Sequence, residues 1–90
     1  MVNNRRSEIE IIGKLIDLSK DGARKTDLLY KANLSYSQLQ SYLTFLIERN
    51  ILEEKISDKN LNSYRSYCTT DKGLETLKDV KKVLAHFELK

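Results

Sequence analysis

Segment 35–47, SYSQLQSYLTFLI, holds the side chains best suited to chemistry in this chain. No residue between Tyr36 and Ile47 is charged, yet Ser37, Gln38, Gln40, Ser41 and Thr44 supply hydroxyl and amide groups. At helical spacing Ser37, Gln40, Ser41 and Thr44 fall on one face, with Leu39, Leu43, Leu46 and Ile47 on the other. Tyr36 stands at the helix start, and Tyr42 and Phe45 flank the apolar stripe. Hydroxyls and amides ordered along a helix suit the edges of base pairs. The major groove admits an α-helix, Gln can make a two-point contact with adenine, and Ser and Thr can bond either class of base. With no Arg or Lys between Tyr36 and Ile47, strong guanine reading is not expected. Affinity should come mainly from the nucleic-acid backbone, with low sequence specificity. The competing reading is an amphipathic helix whose uncharged polar face meets another protein.

Other chemistries lack a constellation. Gly13, Gly22 and Gly73 are isolated, so there is no glycine-rich phosphate loop. One cysteine, Cys68, and one histidine, His86, allow no internal disulfide and cannot assemble a zinc site. Cys68 is expected in a strand and His86 near a helix C-terminus, which argues against a Cys–His nucleophile pair. Glu53 and Glu54 are neighbours on opposite sides of an expected strand and read as solvated. No enzyme activity, cofactor, metal or small-molecule ligand is expected. Apolar runs never exceed three residues, far short of the roughly 20 that span a membrane. The start, MVNNRRSEIE, has no apolar stretch after its arginines, so no signal peptide is expected. These features predict a cytoplasmic, nucleoid-associated protein.

Sixteen basic and thirteen acidic residues leave a net charge of +3. Placement says more than the sum. Arg5, Arg6, Lys14, Lys20, Arg24, Lys25 and Lys31 precede the uncharged helix, and Lys55, Lys59 and Arg65 follow it. Arg24, Lys25 and Lys31 could fix register through phosphates. Ser35 and Tyr36 sit at a helix N-terminus, where free N–H groups and the dipole favour an anion. Lys59, Asn60, Asn62 and Arg65 could carry a hairpin to an adjacent groove. Glu48, Glu53 and Glu54 are expected to face away from a duplex. An ordinary solvated surface would show a similar spread of charge.

Ninety residues make one domain, and the elements that position these groups can be read in turn. Ser7 and Glu10 form a capping box ahead of a helix over 8–19, striped by Ile9, Ile12, Leu15 and Ile16 and widened by Ile11 and Leu18. Asp21-Gly22 ends it. Segment 23–25 is expected to be extended and able to join a hairpin as a third strand. Thr26 is expected to cap a short helix containing Leu28, Leu29 and Ala32, with Asn33 a left-handed stop and Leu34 tucked beneath the turn. Ser35 and Gln38 form a second capping box for the helix over 36–49, which Asn50 terminates. Segments 51–56 and 64–70 read as paired strands around the turn-forming SDKNLNS, with Arg65, Tyr67 and Thr69 on one face. Thr70 caps a last helix over 71–87. Leu77, Val80, Leu84 and Phe87 make a heptad-like seam on it, suited to pairing with a second subunit or to packing on the first helix. A short helix, a tight turn, a second helix and then a hairpin is the winged-helix arrangement.

The run KTDLLYKANLSYSQLQSYL makes this specific. With Ala32-Asn33-Leu34-Ser35-Tyr36 at its centre, and with Tyr67, Thr70, Lys72 and Gly73 later, the chain resembles the archaeal winged helix-turn-helix DNA-binding family. That family includes ten-kilodalton chromatin-associated proteins and small archaeal and viral transcription regulators. The resemblance spans about residues 7 to 80 and implies an α+β, mainly α, fold of three helices plus a two- or three-stranded wing. It assigns residues 7–70 to the DNA-binding unit and 71–90 to a C-terminal dimerisation helix. It also implies a homodimer bound to double-stranded DNA, with Ser35, Tyr36, Ser37, Gln40, Ser41 and Thr44 on the reading helix. Thr69 stands where the family prefers a large aliphatic residue, which predicts a looser strand–helix corner. The last helix reaches only Lys90, which predicts a compact dimer. The reading is a transcriptional regulator, with recognition helix 36–49 and wing 56–65. A protein-interaction adaptor anchored by Tyr36, Tyr42 and Phe45 or by Tyr64 and Tyr67, and a chromatin-architectural role, are the alternatives.

Overall fold

The computed structural model describes the backbone of residues 8–59 and 62–87, and the side chains of these except 57–59 and 62–63. Arg5, Arg6, the Ser7 cap and Asn60 lie outside the described residues, as do the side chains of Lys59 and Asn62. Seven elements follow in order: α1 Glu8–Leu18, β1 Ala23–Arg24, α2 Lys25–Ala32, α3 Tyr36–Glu48, β2 Leu52–Lys59, β3 Asn62–Thr69 and α4 Asp71–His86. The sheet is antiparallel in the order β1-β3-β2. The fold is therefore mainly α, with a three-stranded wing, as the sequence predicts.

α1 buries more than one stripe because α2 and α4 both pack on it. Ile11, Leu15 and Ile16 are buried and Ile12 and Leu18 half-buried, whereas Ile9 in the first turn is exposed. Gly13 is buried too. A Cβ there would lie 2.9 Å from Cγ1 of Val80, so the missing side chain lets α4 come close. The expected centring on Ile9 and Ile12 is thus shifted toward Ile11 and Gly13.

α2 starts two residues earlier than the sequence suggested. Arg24, not Thr26, is the N-cap, in extended conformation, and its N–H donates to the Asp27 carboxylate at 3.4 Å. Asp27 does this from the third helical position, so Thr26 is left within the first turn. At the far end Asn33 is left-handed (φ 57°), with bonds from its own N–H to the Tyr30 carbonyl and from Leu34 to Leu29. This is the pattern in which a helix end folds back to satisfy its last carbonyls.

α3 has the predicted box. The Ser35 hydroxyl accepts the Gln38 N–H at 3.2 Å, and the Gln38 carbonyl oxygen accepts the Ser35 N–H at 3.0 Å. The same fold-back ends it: Asn50 is left-handed (φ 62°), and Ile51 bonds back to Leu46. Leu39, Leu43 and Leu46 are fully buried and Ile47 is half-buried, as the inner-face reading requires.

The strands are longer than predicted. Much of SDKNLNS is strand, with the ladder paired out to Lys59 and Asn62. Once strands of eight residues pair, polar turn formers can satisfy their backbone in the ladder as well as in a turn. Tyr67 points inward and is 3% exposed, and its hydroxyl donates to Glu54 at 3.2 Å. Glu54 also lies 3.5 Å from the Arg65 guanidinium. It is not the simply solvated acid expected, and Tyr67 cannot serve as a surface anchor. Burial, then the Glu54 charge and hydrogen bond, raise the Tyr67 hydroxyl above its ordinary pKa of 10.0.

α4 begins at a dense corner that accounts for the Y-x-x-T-x-K-G run. The Thr70 hydroxyl accepts the Gly73 N–H at 2.9 Å and donates toward the carbonyls of Asn50 (2.6 Å) and Ile51 (3.1 Å). Lys72 Nζ donates to the Arg49 carbonyl at 2.8 Å. The end of α3 is thereby tied to the start of α4. Thr69 corrects the expectation of a loose corner, because its hydroxyl donates to the Ile16 carbonyl at 2.7 Å and its N–H to the Ser19 carbonyl. A large aliphatic residue could not make the first of these bonds. Leu77 and Val80 are each 6% exposed within the single chain, Leu84 is half-buried, and Phe87 is 70% exposed. The seam read from sequence is therefore divided between intramolecular packing and surface. Cys68 is half-buried.

Candidate nucleic-acid interface

Two helices and the wing build one face. α3 presents Tyr36, Ser37, Gln40, Ser41 and Thr44, all exposed, along a continuous shallow surface that Phe45, Glu48 and Arg49 complete. The cause is local. Leu39, Leu43 and Leu46 fix the rotation of the helix, and that rotation turns the uncharged residues outward. These are the residues the sequence assigned to base and backbone contacts, and the fold brings them together. Gln38 and Ser35 stand at the same end, each with an oxygen engaged in the cap.

Cations frame this surface. The Lys25 ammonium, from the first residue of α2, lies 2.7 Å from the Gln40 side-chain oxygen and 5.1 Å from the Tyr36 ring centre. Arg24 has its guanidinium 4.2 Å from the centre of the Tyr64 ring. Rings below these cations hold them by attraction to the π face while leaving donors free. Between α2 and the wing runs a groove lined by Arg24, Lys25, Thr26, Ile56, Tyr64, Arg65 and Tyr67. Arg65 borders it with part of its charge offset by Glu54. Lys31, in the last turn of α2, is exposed.

Two features escaped the sequence. Arg49 is pinned at the end of α3, its guanidinium 3.8 Å from the Phe45 ring centre and bonded to the Phe45 carbonyl at 3.3 Å. The Phe45/Arg49 spacing of four was the available signal. Glu48, expected to face away, instead borders the outer surface of α3. The positive character of this face therefore lies toward Lys25 and the N-terminal half of α3, while its C-terminal half carries one acid and one arginine.

Among the described residues no group of three or more His, Cys, Asp or Glu is placed to hold a metal ion, and no helix is long and apolar enough to cross a membrane.

The family model described as winged helix-turn-helix matches residues 5–87. No curated protein sequence matches the chain. Among solved structures the chain is similar to Sso10a-2, a DNA-binding protein from Sulfolobus solfataricus. That match is 24% identical with a TM-score of 0.75, over 92% of this chain and 83% of that one. It is also similar to a PadR-like transcriptional regulator from Bacillus cereus, at 20% identity and a TM-score of 0.78, over 87% and 84% of the two chains. A PadR family transcriptional regulator from Eggerthella lenta follows at 17% identity and 0.74, over 86% and 73%. At these identities the likeness speaks for the fold. The winged-helix resemblance read around A-N-L-S-Y is met by the family match, and the Sulfolobus structure shares the fold. The chain belongs to the winged helix-turn-helix family.

Proposed function

We propose that this protein binds double-stranded DNA as a transcriptional regulator, with α3 in the major groove and the wing, about 56–65, on an adjacent groove or backbone. The observation that carries this is the exposed, uncharged hydrogen-bonding face of α3, framed by Lys25, Arg24 and Arg49. Base edges need donors and acceptors at close range, and phosphates need cations at the flanks. The proteins of similar fold are named as a DNA-binding protein and as transcriptional regulators. Lys31, Lys59, Asn60 and Asn62 would add backbone contacts. Residues 7–70 then form the reading unit and 71–90 the pairing helix of a homodimer, with half-sites about 34 Å apart. Since Leu77 and Val80 are spent on the core, pairing would use Val83, Leu84 and Phe87.

The test is fluorescence anisotropy of a random-sequence duplex at two salt concentrations. With about four phosphates neutralised, affinity should fall on the order of a hundredfold between 50 and 200 mM salt. No binding at either salt removes the non-specific mode on which the proposal depends. A second reading, a protein-binding adaptor, rests on the exposure of Tyr36 and Phe45 (62% and 40%). Aromatic anchors on a polar face also suit a protein partner. Salt-insensitive capture of a protein, with no retention on DNA resin, would favour it.

A further inference from the structure

We propose that Lys25 and Gln40 act as one base-reading unit that selects guanine and rejects adenine. This rests on the DNA-binding reading above. A glutamine that reads adenine needs both ends of its amide: the oxygen accepts from the base amino group and the nitrogen donates to N7. Here the oxygen is engaged. The Lys25 ammonium approaches it to 2.7 Å, a short charge-assisted bond. Tyr36, one turn before Gln40 on the same face, places its ring beneath the same ammonium at 5.1 Å. Lys25 is only half-exposed, and it starts α2, so its backbone is fixed relative to α3.

The consequence is a change in what the helix offers. With its oxygen bonded to Lys25, the Gln40 amide has its NH2 group left to offer to a base. The ammonium beside it adds further N–H donors. The composite edge carries donors and a positive charge. Guanine is the base whose major-groove edge is two acceptors, N7 and O6. Adenine would set its N6 amino donor against the ammonium, and cytosine would do the same with N4. Thymine has one acceptor and a methyl group. A lysine from the preceding helix thus supplies the guanine-reading cation that α3 itself lacks. Lys25 is a specificity-determining residue in this scheme as well as a phosphate neighbour.

The experiment is selection of bound duplexes from a random pool, run in parallel on the full chain and on Lys25→Met and Gln40→Leu, with circular dichroism confirming that each variant is folded. Methionine keeps an aliphatic stem over Tyr36 and releases the Gln40 oxygen. The expected result is enrichment of guanine at one position of the site in the wild type. That position should turn to adenine in Lys25→Met and lose its preference in Gln40→Leu, with neighbouring positions unchanged. Replacing the selected guanine by adenine should weaken wild-type binding roughly tenfold. Adenine at that position in the wild type overturns the proposal. So does a Lys25→Met variant that binds more weakly to every sequence with its preference intact, since Lys25 then serves phosphate alone. Binding without any enrichment overturns it too, while leaving DNA binding standing. Failure of all variants and the wild type to bind any duplex refutes the underlying reading instead.

Discussion

Gly73→Ala should be among the most damaging small changes available in this chain, and Gly13→Ala should cost clearly less. Both glycines lie in helices and both are buried, so both substitutions gain helix propensity of up to about 1 kcal/mol. What differs is the obstacle. A Cβ added at Gly13 would meet Cγ1 of Val80, one methyl of a stiff β-branched side chain, which α4 must move by a few tenths of an ångström to clear. A Cβ added at Gly73 would run into the carbonyl oxygen of Ile51, which is backbone, and into Cγ2 of Thr69. To clear it, the start of α4 must lift away from the end of α3. That motion strains the Thr70 bonds to the Asn50 and Ile51 carbonyls and the Lys72 bond to Arg49. Overpacking costs about 2 kcal/mol. The Thr70 hydroxyl bond, shared between two carbonyls, and the Lys72 bond add about 1 kcal/mol each when weakened, and the propensity gain returns about 1. The net loss is about 3 kcal/mol, a drop in Tm of roughly 12 to 24 °C for a domain of this size. Gly13→Ala should lose about 1 kcal/mol, overpacking of about 2 against Val80 less a propensity gain of about 1. Thermal unfolding followed by circular dichroism measures both. If Gly73→Ala melts within roughly 4 °C of wild type, or if the two variants lose the same amount, the close approach at Ile51 is not what requires glycine.

Ser19 is fully buried, and its hydroxyl has no hydrogen-bond partner among the described residues. Ser19→Ala should therefore raise stability by about 1 kcal/mol in urea titration, and a loss of stability would mean that the hydroxyl is satisfied. Tyr67 is held protonated in the fold, so its contribution is complete below pH 10 and fades as pH rises through the higher folded value. Tyr67→Phe should lose about 1 kcal/mol at neutral pH and flatten the decline in stability above pH 10. An unchanged alkaline decline would assign that effect elsewhere. Glu48→Gln should strengthen binding to a random duplex about twofold at low salt and much less at high salt, with anisotropy as the measure; no change would place Glu48 outside the contact surface. Leu77→Ala should destabilise the fold by about 2 to 4 kcal/mol. Phe87→Asp should leave the Tm nearly unchanged yet abolish any dimer seen by light scattering, and an unaltered mass would reject pairing through the exposed end of α4.

The legible parts of the fold are those governed by local chemistry. Ser35 with Gln38, Asn33, Asn50 and Thr70 are start and stop signals whose partners lie within a few residues, and each is found where the sequence put it. The leucines of α3 set its rotation by spacing alone, which is why the outer face was readable. What depended on distant partners was not. Nothing around Thr69 points to the Ile16 carbonyl, 53 residues away. Nothing around Lys25 points to Gln40, because that contact exists only once α2 has folded back on α3. Val80 meets Gly13 of another helix, so a heptad-like seam could not tell which partner would cover it. Arg24 displaced Thr26 as the cap because a backbone N–H can be served by an acid three residues on, whatever its own side chain is.

The Ser35–Gln38 box and left-handed Asn50 mark the ends of α3, and Asn33 the end of α2, from residues that lie off the outward row. Ser37, Gln40, Ser41 and Thr44 add nothing to the buried core. Drift at these four positions is therefore almost free of thermodynamic penalty, whereas drift at Ser35, Asn33 or Asn50 is not. The scaffold and the lettering it displays can evolve on separate clocks. Under the proposed DNA-binding role, such a chain could exchange one target sequence for another through a few surface substitutions without ever passing through an unfolded ancestor.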